Sequence, residues 1–193
     1  MRDVFPERIE TERLIIRTPR PGDGAEVNAA IRETYADLHQ WMDWADHVPE
    51  IAETEENRRC AAHNFRAGED FCVQAYLKST GALAVCAGLH PMNWQVPKFA
   101  IGYWCRTGYQ GQGYVTETVR ILTEIGMDVM GANRIEIRCD ERNERSQRVA
   151  ERGGYRLEGR LKNDRIAPDG GLRHTLIFAM TPDEFTEIKP LEN

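Results

Sequence analysis

The sequence predicts a mixed α/β domain, and three features carry that prediction. Short runs rich in aromatic and β-branched residues recur through the middle and end of the chain, bounded by glycine or proline. Longer segments between them repeat apolar residues at helical spacing. Past the midpoint, a strand-like run, a glycine turn and an amphipathic helix follow one another without a gap. No repeat, linker or low-complexity block divides the 193 residues, so one domain is expected over 1–193 with its core at about 10–181.

Residues 10–18 (ETERLIIRT) read as a strand, ended by Pro19-Arg-Pro-Gly22. Asp23 then caps a helix to about Trp41, with Val27, Ala30, Ile31, Tyr35 and Leu38 on one face. The next stretch, 39–49, sets Trp41 and Trp44 beside Asp43 and Asp46. A second helix runs from Ile51 to about Ala67, its start marked by Thr54 and a Glu-rich first turn, and Gly68 with Glu69 and Asp70 breaks it. Strands follow at 71–77 and 83–90, joined by a hairpin turn at 78–81. After a loop at 91–97 that holds Trp94 comes the strand 99–105. The helix after the glycine turn carries Val115, Val119, Leu122, Ile125/Gly126 and Val129 on one face, with Glu117, Arg120, Glu124 and Asp128 opposite. Residues 134–139 alternate strictly, so one face of that strand is buried and the other meets water or ligand. Asn143 and Glu144 open a helix with Ser146, Val149, Ala150 and Gly153 along one stripe, and Gly153-Gly154 stops it. A strand at 155–161, a turn at 167–171 and a last strand at 174–180 complete the chain.

The chemistry concentrates in residues 109–116 (YQGQGYVT). Gly111 and Gly113 stand between a strand and a helix N-terminus, which aims free backbone N–H groups and a positive dipole end at one point. An anion such as a phosphate is the natural occupant. A P-loop would need Gly-x-x-x-x-Gly-Lys-Ser/Thr, which the chain lacks. A dinucleotide fingerprint would need a third glycine where Thr116 stands, and would follow the first strand. The pyrophosphate turn of acetyl-CoA-dependent N-acetyltransferases, Gln/Arg-x-x-Gly-x-Gly/Ala, fits the glycine pair, although Gly108 stands where Gln or Arg is usual. On this motif alone a glycine turn without a ligand remains the alternative.

Composition narrows the classes. A net charge of −6 disfavours non-specific nucleic-acid binding, which rests on Lys and Arg, and suits an amine-bearing partner. No apolar run approaches the roughly 20 residues that span a bilayer, and the N-terminus lacks the apolar centre of a signal peptide. The five cysteines (Cys60, Cys72, Cys86, Cys105, Cys139) are scattered without a CxxC pair. Free thiols in a reducing cytosol, and hence a cytoplasmic location, are expected. The five histidines are equally dispersed, so no metal site is expected.

Taken together, the chain resembles the GCN5-related N-acetyltransferase (GNAT) superfamily and, within it, the ribosomal-protein alanine N-acetyltransferase (RimJ/RimL-like) branch. The pieces are 11–17 (TERLIIR), 41–44 (WMDW), 101–104 (IGYW), 111–117 (GQGYVTE), 143–146 (NERS), Gly154-Tyr155 and 157–159 (LEG), in an order that spans nearly the whole chain. The resemblance implies a central mixed, mostly antiparallel sheet of about seven strands with helices on both faces. Its fourth and fifth strands, 99–105 and 134–139, would splay apart around acetyl-CoA. Tyr103, Trp104 and Cys105 would offer backbone groups to the pantetheine arm and acetyl oxygen. Gln110, Gly111, Gln112, Gly113, Tyr114 and Val115 would hold the pyrophosphate, Asn143 would bond the pantetheine, and Ser146 would lie near the thioester sulfur.

The implied activity is direct acetyl transfer from acetyl-CoA to a primary amine in a ternary complex, without a metal. The acceptor would be a protein N-terminal amine or a small amine, and a homodimer fits the same reading. A non-catalytic acyl-CoA sensor is the alternative. An amine attacks only when neutral, so a base must take a proton. The developing oxyanion needs a backbone N–H, expected in 102–105. In many relatives a tyrosine four residues beyond the position of Ser146 serves the leaving thiolate; Ala150 stands there, so the resemblance leaves Ser146 in that role. Relatives can carry an acidic residue past the LEG strand, which makes Asp164 a shifted candidate for the base, with Asp43, Asp46 and Glu136 as alternatives. Trp41, Trp44 and Asp43 are expected to line the acceptor site, the tryptophans having core packing as their other reading.

Overall fold

Short strands build an open sheet, and residues 134–139, expected to alternate, instead bury Glu136 between Ile135 and Ile137 and leave Arg138 exposed. The structure, a computed structural model, describes residues 5–168 and 170–189. Residues 1–4 and 190–193, the ends of the expected domain, and residue 169 of the expected 167–171 turn lie outside the described residues. Eight strands take the order β1-β2-β3-β4-β5-β6-β8-β7: β1 (Arg8–Glu10), β2 (Leu14–Arg17), β3 (Phe71–Leu77), β4 (Leu83–Asn93), β5 (Lys98–Cys105), β6 (Arg134–Asp140), β7 (Arg156–Ile166) and β8 (Leu172–Met180). Every neighbouring pair is antiparallel except β5–β6. The count is eight rather than about seven because the expected strand at 10–18 folds back on itself, with the Thr11 amide bonding the Leu14 carbonyl. The splayed pair is therefore the fifth and sixth strand.

Helices cover both faces. The helix α1 (Gly24–Trp41) buries Val27, Ala30, Ile31 and Leu38 against Tyr76, Leu83 and Cys86. On the other face α3 (Tyr114–Glu124) packs Val119 and Leu122 among Val85, Leu89, Phe99, Ile101 and Ile135. The remaining helices are α2 (Ile51–Ala67), α4 (Glu144–Arg152) and α5 (Pro182–Ile188), the last unforeseen from the sequence although Pro182 and the Thr181/Glu184 capping box mark it. None of the described helices is long and apolar enough to cross a membrane.

Three local expectations change for physical reasons. Asp23 sits at the α1 N-cap, but its carboxylate takes both ends of the Arg17 guanidinium, at 2.7 and 2.8 Å. The amides of Gly22 and Gly24 go instead to Glu55 of α2, at 2.8 and 2.9 Å, so α1 is capped from another helix. The apolar stripe of α3 continues into a π turn, Ile125–Val129. A π turn inserts a residue and rotates the phase, which buries Met127 and turns Val129 out to 36% exposure. Finally, β4 carries on through Pro91 to Asn93, where a loop was expected, past a register irregularity between Leu89 and Met92.

Candidate active site

Parallel pairing between β5 and β6 holds for three positions only, Lys98↔Arg134, Phe99↔Ile135 and Ala100↔Glu136. Beyond them the strands diverge, so the β6-facing N–H and C=O groups of 101–105 have no strand to bond. Backbone groups left unpaired in a protein interior call for another partner. The cleft that opens there has a volume of about 650 Å³ and is lined by β5 residues 101–105, β6 residues 137–140 and the glycine turn. An extended amide-bearing arm fits this edge as a missing strand would.

The glycine turn closes one end of the cleft. Gly111 and Gly113 have φ of +73° and +84°, a region open to glycine and strained for branched side chains. Gly113 is the N-cap of α3, and among the described residues no protein acceptor takes the amides of Gly111, Gln112 or Gly113. They are donors in search of an anion. The turn is fixed from behind. Arg13 donates to the Gln112 carbonyl at 2.9 Å and to Glu117 at 2.7 Å, and lies 4.7 Å over the Tyr114 ring. The Gln110 amide bonds Asp37 at 2.7 Å while its oxygen accepts from Arg145 at 2.8 Å, and the Gln112 side chain bonds the Gly108 carbonyl at 3.2 Å. Gln110 and Gln112 thus shape the turn through their side chains, leaving its backbone to the ligand; Tyr114 and Val115 line the cleft.

Burial alone would raise the Glu117 carboxyl, but the Thr11 hydroxyl and the Arg13 bonds outweigh it and hold it below the ordinary 4.5. A carboxyl depressed in the folded state contributes stability that is present above about pH 4.5 and lost as pH falls through its lower folded value. Glu117→Gln is expected to cost about 1–2 kcal/mol at pH 7. The gap to wild type should narrow at pH 3.5, and urea denaturation at the two pH values measures it.

Ser146 and Asn143 meet at the opposite wall. The Asn143 side-chain oxygen caps α4 by accepting from the Ser146 amide at 3.1 Å, and both residues line the cleft. The Ser146 hydroxyl is 2.8 Å from the Tyr103 hydroxyl, which also donates to the Ser146 carbonyl. Burial pushes the Tyr103 phenol well above its ordinary value, partly offset by the Ser146 bond, so it stays protonated. This link was missed from the sequence, where Tyr103 was read for its backbone only. Also missed was the row Arg145, Arg148 and Arg152, which lines the cleft from one face of α4; its spacing of three and four residues was a legible signal for an anion site.

A second cleft of about 780 Å³ lies on the α1 side of the sheet and shares Trp41, Met42, Gly102, Tyr103, Trp104 and Arg138 with the first. Trp41 lines both clefts, Trp44 lines the second at 49% exposure, and Asp43 lines it with its carboxylate held by Arg165 and Arg173. The other candidate bases are dispersed. Asp164 lies on β7, 3.9 Å from Arg165, and lines neither cleft. Asp46 pairs with His47 at 2.6 Å, and Glu136 is surrounded by Arg134, Arg138 and Lys98 at 2.7, 3.5 and 3.6 Å.

Comparison with known proteins meets this geometry. The profile of the acetyltransferase (GNAT) domain family matches residues 13–156. The chain belongs to the GNAT acetyltransferase family. Among its relatives, the putative ribosomal N-acetyltransferase YdaF of Bacillus subtilis (strain 168) is 26% identical over 167 residues, covering 86% of this chain and 90% of YdaF. Two solved structures share the fold. MccE, a microcin self-immunity acetyltransferase in complex with acetyl-CoA and AMP, superposes with a TM-score of 0.83 at 20% identity, over 93% of this chain and 98% of that one. RimL, a ribosomal α-N-protein acetyltransferase in complex with coenzyme A, gives 0.84 at 21% identity, over 92% and 99%.

The protein is thus an acetyl-CoA-dependent N-acetyltransferase. Two thiols line the first cleft. Burial pushes Cys139, beside Ser146, to about 11 and Cys105 to about 12, so both stay protonated at neutral pH. Dispersal along the chain did not keep the polar residues apart in space: Asp70, Cys72 and His90 bring polar atoms within 4.8 Å of one another, and Cys72 and His90 line the second cleft.

Proposed function

We propose that this enzyme acetylates the N-terminal α-amine of a protein, of the ribosomal kind for which YdaF and RimL are named. The observation that carries the reading is the junction of two clefts at Gly102, Tyr103 and Trp104, which lets an acyl donor and a separate amine arrive from different sides. The second cleft is open and flanked by Trp41 and Trp44, whose flat faces suit an extended chain end.

Acetyl-CoA supplies an acyl group activated as a thioester. Around it, the amides of 111–115 and the α4 arginines bind and orient phosphate, and the unpaired edge of β5 aligns the arm and offers N–H groups to a developing oxyanion. Ser146 stands where it can give a proton to the departing sulfur, with the Tyr103 hydroxyl bonded behind it. Burial keeps the thiols of Cys72, Cys86, Cys105 and Cys139 protonated, which supports direct attack with both substrates bound together.

Free-thiol release from acetyl-CoA tests this across peptides with N-terminal Ser or Ala, their N-terminally blocked forms carrying a lysine, spermidine and an aminoglycoside. Turnover is expected on the free-amine peptides and lost on blocking. Turnover confined to spermidine or the aminoglycoside would overturn the acceptor, and tight coenzyme A binding without turnover on any amine would make the protein a sensor.

A further inference from the structure

We propose that His90, oriented by Asp70, is the general base that frees the acceptor amine of its proton. The proposal rests on the α-amine reading above. It begins with a floor made of two glycines. Gly88 of β4 and Gly102 of β5 are cross-strand partners, and the His90 ring lies across them. A Cβ on Gly102 would stand 2.7 Å from His90 Nε2, and one on Gly88 would stand 3.0 Å from Nδ1. A side chain at Gly102 would displace the imidazole, one at Gly88 would also press on the Phe71 carbonyl at 2.9 Å, and Gly102 lines both clefts.

The ring has a defined polarity. Nδ1 faces Asp70 Oδ1 at 3.5 Å, an ion-pair distance, and both atoms are buried without a hydrogen-bond partner among the described residues. The hairpin creates the pair, since the register Phe71↔Leu89 sets Asp70 opposite His90 one step further along. A carboxylate at Nδ1 selects the Nδ1–H tautomer and leaves the Nε2 lone pair over Gly102. Meanwhile the carboxylates singled out from the sequence are spent elsewhere: Asp43 on two arginines, Glu136 on three cations, and Asp46 on His47.

The step balances as follows. An ammonium proton passes to Nε2; the neutral nitrogen forms the N–C bond as the C–S bond breaks and its electron pair leaves on sulfur. The second nitrogen proton, released as the amide forms, reaches that sulfur through the Ser146 hydroxyl, and His90 returns its proton to solvent. An α-amine, with an ordinary pKa of about 7.7–8.0, lies within reach of an imidazole, whereas a lysine amine at about 10.4 does not. The other charged groups on this cleft are Glu53 and Arg58 of α2, Asp43 and His47 of the α1–α2 link, Arg138 of β6 and Arg165 of β7.

The test uses the full-length enzyme, acetyl-CoA and a peptide with a free N-terminal serine. His90→Gln is expected to lower kcat/KM about 100-fold or more at pH 7. The deficit should shrink at pH 9, where the amine is already neutral. Independently of turnover, the imidazole ¹⁵N signals that vanish in His90→Gln should report the Nδ1–H tautomer in the wild-type enzyme. Asp70→Asn should shift that tautomer and lower kcat about tenfold or more. The proposal fails if His90→Gln stays within about threefold of wild type at pH 7, if its deficit is the same at every pH, or if Asp70→Asn leaves the tautomer unchanged. It fails equally if EDTA abolishes turnover and Zn²⁺ restores it. Should wild type release no thiol with any amine, the acetyltransfer reading falls, while the tautomer measurement still judges the pair.

Discussion

Gly113→Val is expected to weaken acetyl-CoA binding at least about 100-fold while the protein still folds. At φ +84° a β-branched side chain is strained, and its Cβ would meet Arg13 Nη2 at 3.4 Å. The turn relieves both by moving, which withdraws the amides that a pyrophosphate needs. Losing two hydrogen bonds to a charged group, at about 1.5 kcal/mol each, accounts for the factor. Gly111→Ala provides the contrast. With φ +73° and no atom within 4 Å of its Cβ, it adds strain without a clash, for an expected loss of about tenfold. Calorimetric titration with coenzyme A, beside circular dichroism to check the fold, decides the matter. A folded Gly113→Val that binds normally would remove the turn from the site.

Ser146→Ala is expected to lower kcat about 100-fold and leave acetyl-CoA affinity nearly unchanged. The variant keeps the backbone N–H that Asn143 caps, so α4 starts where it did and only the proton donor disappears. Tyr103→Phe removes the hydroxyl 2.8 Å behind it and should slow the same step. If the two act as one relay, the double variant is no slower than Ser146→Ala alone, because coupled groups are not additive. Steady-state rates for the four proteins complete the cycle, and an unaltered rate in Ser146→Ala would end its role.

The features legible in the sequence are the local ones. A strand, two glycines two residues apart and an amphipathic helix lie within about thirty residues, so spacing marked the turn as an anion site, while the family came from a resemblance spread over nearly the whole chain. Features that need two distant segments were not visible. Capping of α1 by Glu55, the Tyr103–Ser146 bond across 43 residues and the arginine clamp on Asp43 all depend on tertiary packing. The Asp70–His90 pair is an intermediate case. Counting back from the hairpin turn would have set the two opposite each other, but only the register fixed by the fold makes that count unambiguous. The π turn also escaped, since a helical period carries no mark of where a residue is inserted.

The sheet itself has a seam. Strands β1 to β5 form one antiparallel half and β6, β8 and β7 another, and backbone pairing joins the halves at three positions only. A molecule wedged between the lips of that seam bonds to both halves and acts as a clip. Binding to the folded state alone adds about 2.7 kcal/mol when the ligand stands at 100 times its Kd. Amide exchange along 98–100 and 134–136 should then slow together with global opening as acetyl-CoA is added. With acetyl-CoA in that seam, the stability of each enzyme molecule, as well as its turnover, would rise with the cosubstrate's concentration.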